Sequence, residues 1–110
     1  MIDLAFITGE ISHDDLSLLA SEDLSTQAGD LKEDMLQVKY PSSILLDVGW
    51  YPSFDLDGLF QIRVIRDYDW NDPVFFSEAT TIPLLIGALV QAQKKINSVF
   101  ETECGGDTGK

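Results

Sequence analysis

Residues 42–51, SSILLDVGWY, and residues 59–68, LFQIRVIRDY, decide the fold. Both are rich in β-branched and aromatic residues, the composition of strands. In the second, Phe60, Ile62 and Val64 alternate with Gln61, Arg63 and Ile65, the pattern of a half-buried strand. The stretch between them, PSFDLDG (52–58), is turn chemistry: Pro52, Asp55, Asp57 and Gly58. Together they predict an antiparallel hairpin with a long loop. PVFFSEA (73–79) offers a third strand.

The hairpin is followed by the clearest helix. Ile82, Ile86, Leu89, Ile96 and Phe100 share one face at helical spacing. Thr80 or Thr81 can cap it, and Pro83 is tolerated in a first turn. Lys94 and Lys95 suit the C-terminal half of the dipole, and Gly105 and Gly106 are expected beyond the end. Gly87 weakens the interior and marks a close approach to a sheet. The first forty residues read less clearly. SHDDLSLLASEDL (12–24) predicts a helix capped by Ser12, with Asp14 and Asp15 in its first turn. DLKEDMLQVKY (30–40) has an Asp30 cap, Glu33 three residues on, and Leu31, Met35 and Val38 at helical spacing. It also alternates at Leu36, Val38 and Tyr40, as a strand does; the helix, ended by Pro41, is the expectation. The sum is an α+β domain: a small antiparallel β-sheet, a C-terminal amphipathic helix and one or two N-terminal helices. A single domain is expected over 1–103, with a flexible tail over 104–110.

The chain of 110 residues carries nineteen acids and seven bases, a net charge of −12. The surplus is concentrated: residues 1–34 hold nine acids and one base, Lys32. Such a charge argues against direct contact with nucleic acid or with anionic membranes. It favours a basic protein partner and would speed the encounter. The single cysteine, Cys104, excludes an intramolecular disulfide and points to a reducing compartment. MIDLAFITGEISHDD has no basic leader and is not the pattern of a secretory signal. IPLLIGALV is too short to span a bilayer, which needs about 20 residues. A cytoplasmic protein is expected.

RDYDWNDPVFFSE (66–78) invites a calcium reading. Asp67, Asp69 and Asn71 alternate, and Glu78 stands where an EF-hand has its twelfth ligand. The sixth position, which needs glycine, is Asp72, and the following Pro73 pushes it toward extended backbone. The ninth is Phe75, and the loop follows a strand. No resident metal or other cofactor is therefore expected, although a calcium module using the Asp67–Glu78 loop stays open. Catalytic constellations are sparse. His13 is the sole histidine, and Cys104 sits in a tail of glycines. No nucleophile elbow, phosphate loop or zinc ligand set is present. No catalytic residue is assigned, and an enzyme is not expected.

What remains is a binding surface. Trp50, Tyr51, Phe54 and Trp70 interleave with Asp47, Asp55, Asp57, Asp67, Asp69 and Asp72. Rings supply burial and carboxylates pair with Lys and Arg, which suits capture of a basic protein. The plainer reading puts each tryptophan in the core and the acids in solvated turns. Two candidate surfaces follow: the acidic N-terminal segment with Asp14, Asp15, Glu22 and Asp23, and a loop set with Tyr51, Asp55, Asp57, Asp67, Asp69, Trp70 and Asp72.

Residues 43–100 resemble immunity proteins of bacterial contact-dependent growth inhibition systems. The features that carry the likeness are the strand LLDVGWYP, the DLDG turn, the strand FQIRVI, the DYDWNDP loop and the closing amphipathic helix. The resemblance implies a cytoplasmic, non-enzymatic protein. Its partner would be the C-terminal toxin domain of a large exported effector, many of which are nucleases with basic clefts. An acidic inhibitor would occlude such a cleft by mimicking the phosphate backbone. The alternatives are an acidic nucleic-acid mimic that regulates another basic protein, a calcium module, or a structural subunit that dimerises through a sheet edge.

Overall fold

The structure, a computed structural model, describes residues 3–19 and 23–108, with side chains as far as Glu101. Five strands form one antiparallel meander: β1 (Glu10–Asp14), β2 (Leu36–Tyr40), β3 (Ile44–Tyr51), β4 (Leu59–Arg66) and β5 (Phe75–Ala79). A single long helix, α1 (Ile82–Thr108), follows. The predicted hairpin is β3–β4, paired in register from Ile44↔Arg66 to Tyr51↔Leu59. The PVFFSEA stretch supplies β5 on its far side. The domain is α+β, as expected.

Strand alternation sorts the residues onto two faces. Leu36, Val38 and Tyr40 of β2, Ile44, Leu46, Val48 and Trp50 of β3, and Phe60, Ile62 and Val64 of β4 point to one side and are buried. There they join Ile82, Leu85, Leu89, Ala92 and Ile96 of α1 in one core. The Trp50 and Phe60 rings meet edge-on at 4.8 Å. The other face carries Gln37, Asp47, Tyr51, Gln61, Arg63 and Phe76, and among the described residues no helix lies over it. A polar cluster ties the N-terminal segment to this framework. Gln93, almost fully buried in α1, accepts from the Tyr40 hydroxyl at 2.6 Å and from the Thr8 amide at 3.2 Å. Its own amide nitrogen donates to Thr8 Oγ1 and to Asn97 Oδ1.

The N-terminal helices are corrected. Residues 10–14 are strand β1, and the described part of 12–24 holds no α-helix. Asp14 does act as a cap, accepting from the Ser17 amide and hydroxyl, but it closes one turn only. Short polar side chains compete with the helix by bonding nearby backbone. Leu16 and Leu19, three apart, bury themselves within that turn. Residues 24–30 contain two three-residue 3-10 turns, Leu24–Thr26 and Ala28–Asp30. Over 30–40, the alternation of Leu36, Val38 and Tyr40 prevails over the capping-box pattern, because pairing with β3 buries all three. Helix α1 also runs through Gly105 and Gly106 to Thr108 instead of stopping before them. Glycine weakens a helix by about 1 kcal/mol without ending it. Among the described residues, no helix is long and apolar enough to cross a membrane.

Candidate functional site

The N-terminal segment and the β3–β4 loop meet at one end of the sheet. The chain from Leu31 to Met35 runs beside the end of β3. The Trp50 amide donates to Lys32 O at 2.8 Å, the Phe54 amide to Leu31 O at 2.6 Å, and the Met35 amide to Val48 O at 3.0 Å. Gly49 makes this crossing possible, since a Cβ there would lie 2.0 Å from Glu33 O. The loop is fixed from inside as well. The Trp50 indole donates to Asp55 O at 2.8 Å, and the Asp57 amide to Asp55 Oδ1 at 2.9 Å.

These contacts gather an acidic pole. Asp30, Glu33, Asp34, Asp55 and Asp57 are exposed there, with Asp14 and Asp15 half-buried beside them. Lys32 is the lysine among them. It pairs with Asp15 at 2.9 Å, and the His13 ring lies 3.2 Å from the same carboxylate oxygen. The hydrogen bond from Lys32 lowers the Asp15 pKa, and the same bond raises that of Lys32. Solvent screens such a pair, so it contributes little to stability. A shallow pocket is lined by Asp15, Leu18, Asp30 and Lys32.

Apolar groups stand among these acids. Phe54 is 59% exposed and Leu56 49%, in the middle of the β3–β4 loop. Phe54 has φ of 64°, a left-handed conformation that a bulky residue rarely adopts. The hydrogen bond from its amide to Leu31 O and the anchored Asp55 hold it there. Strained residues of this kind persist where the surroundings over-determine them and concentrate at functional positions.

Next to the pole, on the uncovered sheet face, lies Asp47. It is 5% exposed and accepts a single long hydrogen bond, from Gln37 Nε2 at 3.3 Å. Arg63 sits opposite it in register, with its guanidinium carbon 5.8 Å from the Tyr51 ring centroid and 5.3 Å from that of Phe76. Burial raises the Asp47 pKa, against lowering by Gln37 and Arg63. Burial also raises the pKa of Tyr51.

The expected loop set is divided by the fold. Tyr51, Asp55 and Asp57 belong to the acidic pole. Asp67, Asp69, Trp70 and Asp72 lie beyond the opposite end of the eight-residue strands, about 26 Å away at 3.3 Å per residue. At that far end Asp67 and Tyr68 both have positive φ, and Tyr68 and Trp70 are exposed. Trp50 is a core residue and Trp70 a surface one. The register also separates the calcium pattern. Glu78 stands opposite Gln61, six residues along β4 from Asp67 and roughly 20 Å distant. Among the described residues no group of three His, Cys, Asp or Glu is placed to hold a metal ion.

Several acids are occupied by local structure. Asp14 holds Ser17, Asp23 caps the Leu24–Thr26 turn through the Ser25 amide, and Asp69 accepts from the Asn71 amide. The bonds from Ser25 lower the Asp23 pKa. Glu22 lies outside the described residues. The pole residues that sequence reading missed are Asp30, Glu33 and Asp34, assigned to a helix, and Leu56. The signal that would have found them is the strand alternation at 36–40, which makes 30–35 a connection and not a helical turn. No family model, curated protein sequence or solved structure matches the chain.

Proposed function

We propose that the protein is a non-enzymatic immunity protein that binds the toxin domain of a contact-dependent growth inhibition system and blocks it. The toxin domain is basic, most simply a nuclease, and the complex forms in the cytoplasm. The acidic pole carries this reading: five exposed carboxylates and two exposed apolar side chains at one end of the sheet. Phe54 and Leu56 supply apolar anchors, and the surrounding acids meet Lys and Arg. Charges in such an interface set the association rate and its salt dependence, while buried anchors set dissociation. The resemblance over residues 43–100 supports the class of partner. It does not involve residues 1–42, which contribute Asp30, Glu33 and Asp34 to the pole.

The test is capture with tagged protein from its source cells, followed by washes at low and high salt. The expected result is one stoichiometric basic protein. The purified partner is then titrated with wild-type protein, Phe54→Ala and the neutralised variant D30N/E33Q/D34N/D57N. Phe54→Ala is expected to speed dissociation about thirtyfold, the effect of losing a hot-spot side chain of roughly 2 kcal/mol. The neutralised variant is expected to slow association and flatten its salt dependence. Equal binding by all three proteins would remove the pole from the interface. A captured partner with an acidic surface would overturn the reading.

A further inference from the structure

Strand β5 ends the sheet, and its outer edge has no neighbour among the described residues. Exposed edges are ordinarily blunted by charged side chains, lysine above all, by proline or by a bulge, and β5 carries one charge, Glu78. The β5 sequence FFSEA has neither lysine nor proline, and Phe76 is 47% exposed. Beside it runs a groove to α1 whose far wall includes Leu84, 59% exposed, and Gly87. A Cβ on Gly87 would meet nothing within 4 Å, so internal packing does not require this helix-interior glycine. Sequence reading assigned it to a close approach to the sheet, and the structure leaves the space above it open.

We propose that β5 is the seam of a two-fold homodimer, with the β5 strands of two copies pairing antiparallel about Ser77. The inference is independent of the acidic pole and of the partner proposed for it.

Three observations choose a second copy over other occupants. The first is charge. Glu78 is the one charged residue lining this groove, so a basic protein finds little here compared with the pole. A second copy, itself at −12, can approach only along a strip almost free of acids. The second is register. Symmetric pairing about Ser77 puts Phe76 of one copy opposite Glu78 of the other, and Phe75 opposite Ala79. No like charges face each other across the seam. The third is the helix. α1 packs over both β4 and β5. Its axis therefore lies about one strand spacing, roughly 4.8 Å, from a seam at the β5 edge. Two copies would bring their α1 helices to about 10 Å, the upper end of the packing distance between helices. Gly87 and Leu84 lie on that side, and the bare backbone of Gly87 lets the helices close.

The experiment is mass measurement of the full chain in solution across a concentration series, at low and high salt. A dimer that strengthens as salt screens the mutual repulsion is expected. Binding of a basic partner at the pole has the opposite salt dependence, so the two readings fail separately. Phe76→Glu would place two carboxylates opposite each other and is expected to give monomers with unchanged helical content. F76E/E78K is expected to restore the dimer, since only the symmetric register opposes these two positions. In a Cys104→Ser background, Ser77→Cys is expected to form a covalent dimer on mild oxidation and Asp57→Cys to form none. A monomer at every concentration and both salts, or a dimer indifferent to Phe76→Glu, would overturn the proposal.

Discussion

Asp47 is the residue most at odds with its surroundings. It is nearly buried, accepts one long hydrogen bond, and its pKa is raised by burial. A raised carboxyl pKa means that the folded state binds the proton more tightly than the unfolded one. The contribution of Asp47 to stability is therefore greatest in acid, and falls as pH rises from the unfolded value, about 4, through the folded value. Asp47→Asn keeps an acceptor for Gln37 and removes the buried charge. The variant should melt higher than the parent at pH 7, by roughly 4–8 °C for each kcal/mol relieved, and nearly equally at pH 3. A lower melting point at pH 7 would show that attraction to Arg63 outweighs burial. Tyr40 makes the complementary case in alkali. Burial pushes its hydroxyl up to about 12, while the Gly9 backbone pulls the other way. The neutral phenol stabilises the fold fully below the unfolded pKa near 10, and that contribution is lost as pH rises through about 12. A shift of this size corresponds to about 2–3 kcal/mol. Tyr40→Phe should remove most of that alkaline loss, as followed by chemical denaturation between pH 9 and 12.

The elements divide according to how their sequence signals compete. The β3–β4 hairpin, β5 and the core face of α1 were legible, because alternation and helical spacing there agree with the final burial. The N-terminal third was not. Asp14 and Asp30 carry capping chemistry, yet capping atoms are equally at home in single turns, and strand pairing outside the local window decided 36–40. The candidate site suffered for the same reason. Its charge was visible, but which acids meet depends on the 31–35 crossing, and that depends on Gly49. Gly49 and Gly87 therefore make a contrasting pair of elements under test. At Gly49 an alanine Cβ would collide with Glu33 O, so Gly49→Ala should force the crossing off β3 and destabilise by about 2 kcal/mol or more. Within one copy the Cβ at Gly87 is unobstructed, so in dilute solution, where the chain is monomeric, Gly87→Ala should stabilise α1 by about 0.5–1 kcal/mol, whereas at the proposed seam the added methyl would hold the two helices apart. Thermal melts of the two variants should move in opposite directions. Movement in the same direction would mean that the crossing is not seated on β3.

At the scale of the whole molecule the carboxylates of the loops gather at the two ends of the sheet. Asp30, Glu33, Asp34, Asp55 and Asp57 share one end of the sheet with Lys32. The far end carries Asp67, Asp69 and Asp72 with the exposed Tyr68 and Trp70, and the β5 edge is almost uncharged. Like charges held together repel, so the pole should act against the stability of the isolated chain. The wild-type protein should then melt higher as salt is raised at pH 7, because screening within about 10 Å at 0.1 M acts on those neighbours. D30N/E33Q/D34N/D57N should be more stable than wild type in low salt, by up to about 1 kcal/mol in sum, and show a flatter salt response. It should also bind the proposed basic partner more slowly. A gain in stability joined to a loss in association is the pattern of residues kept for recognition and not for folding. If neutralisation lowered stability in low salt, the carboxylates would be structural, paired through Lys32 and the loop backbone. The pole would then lose its claim to be the site.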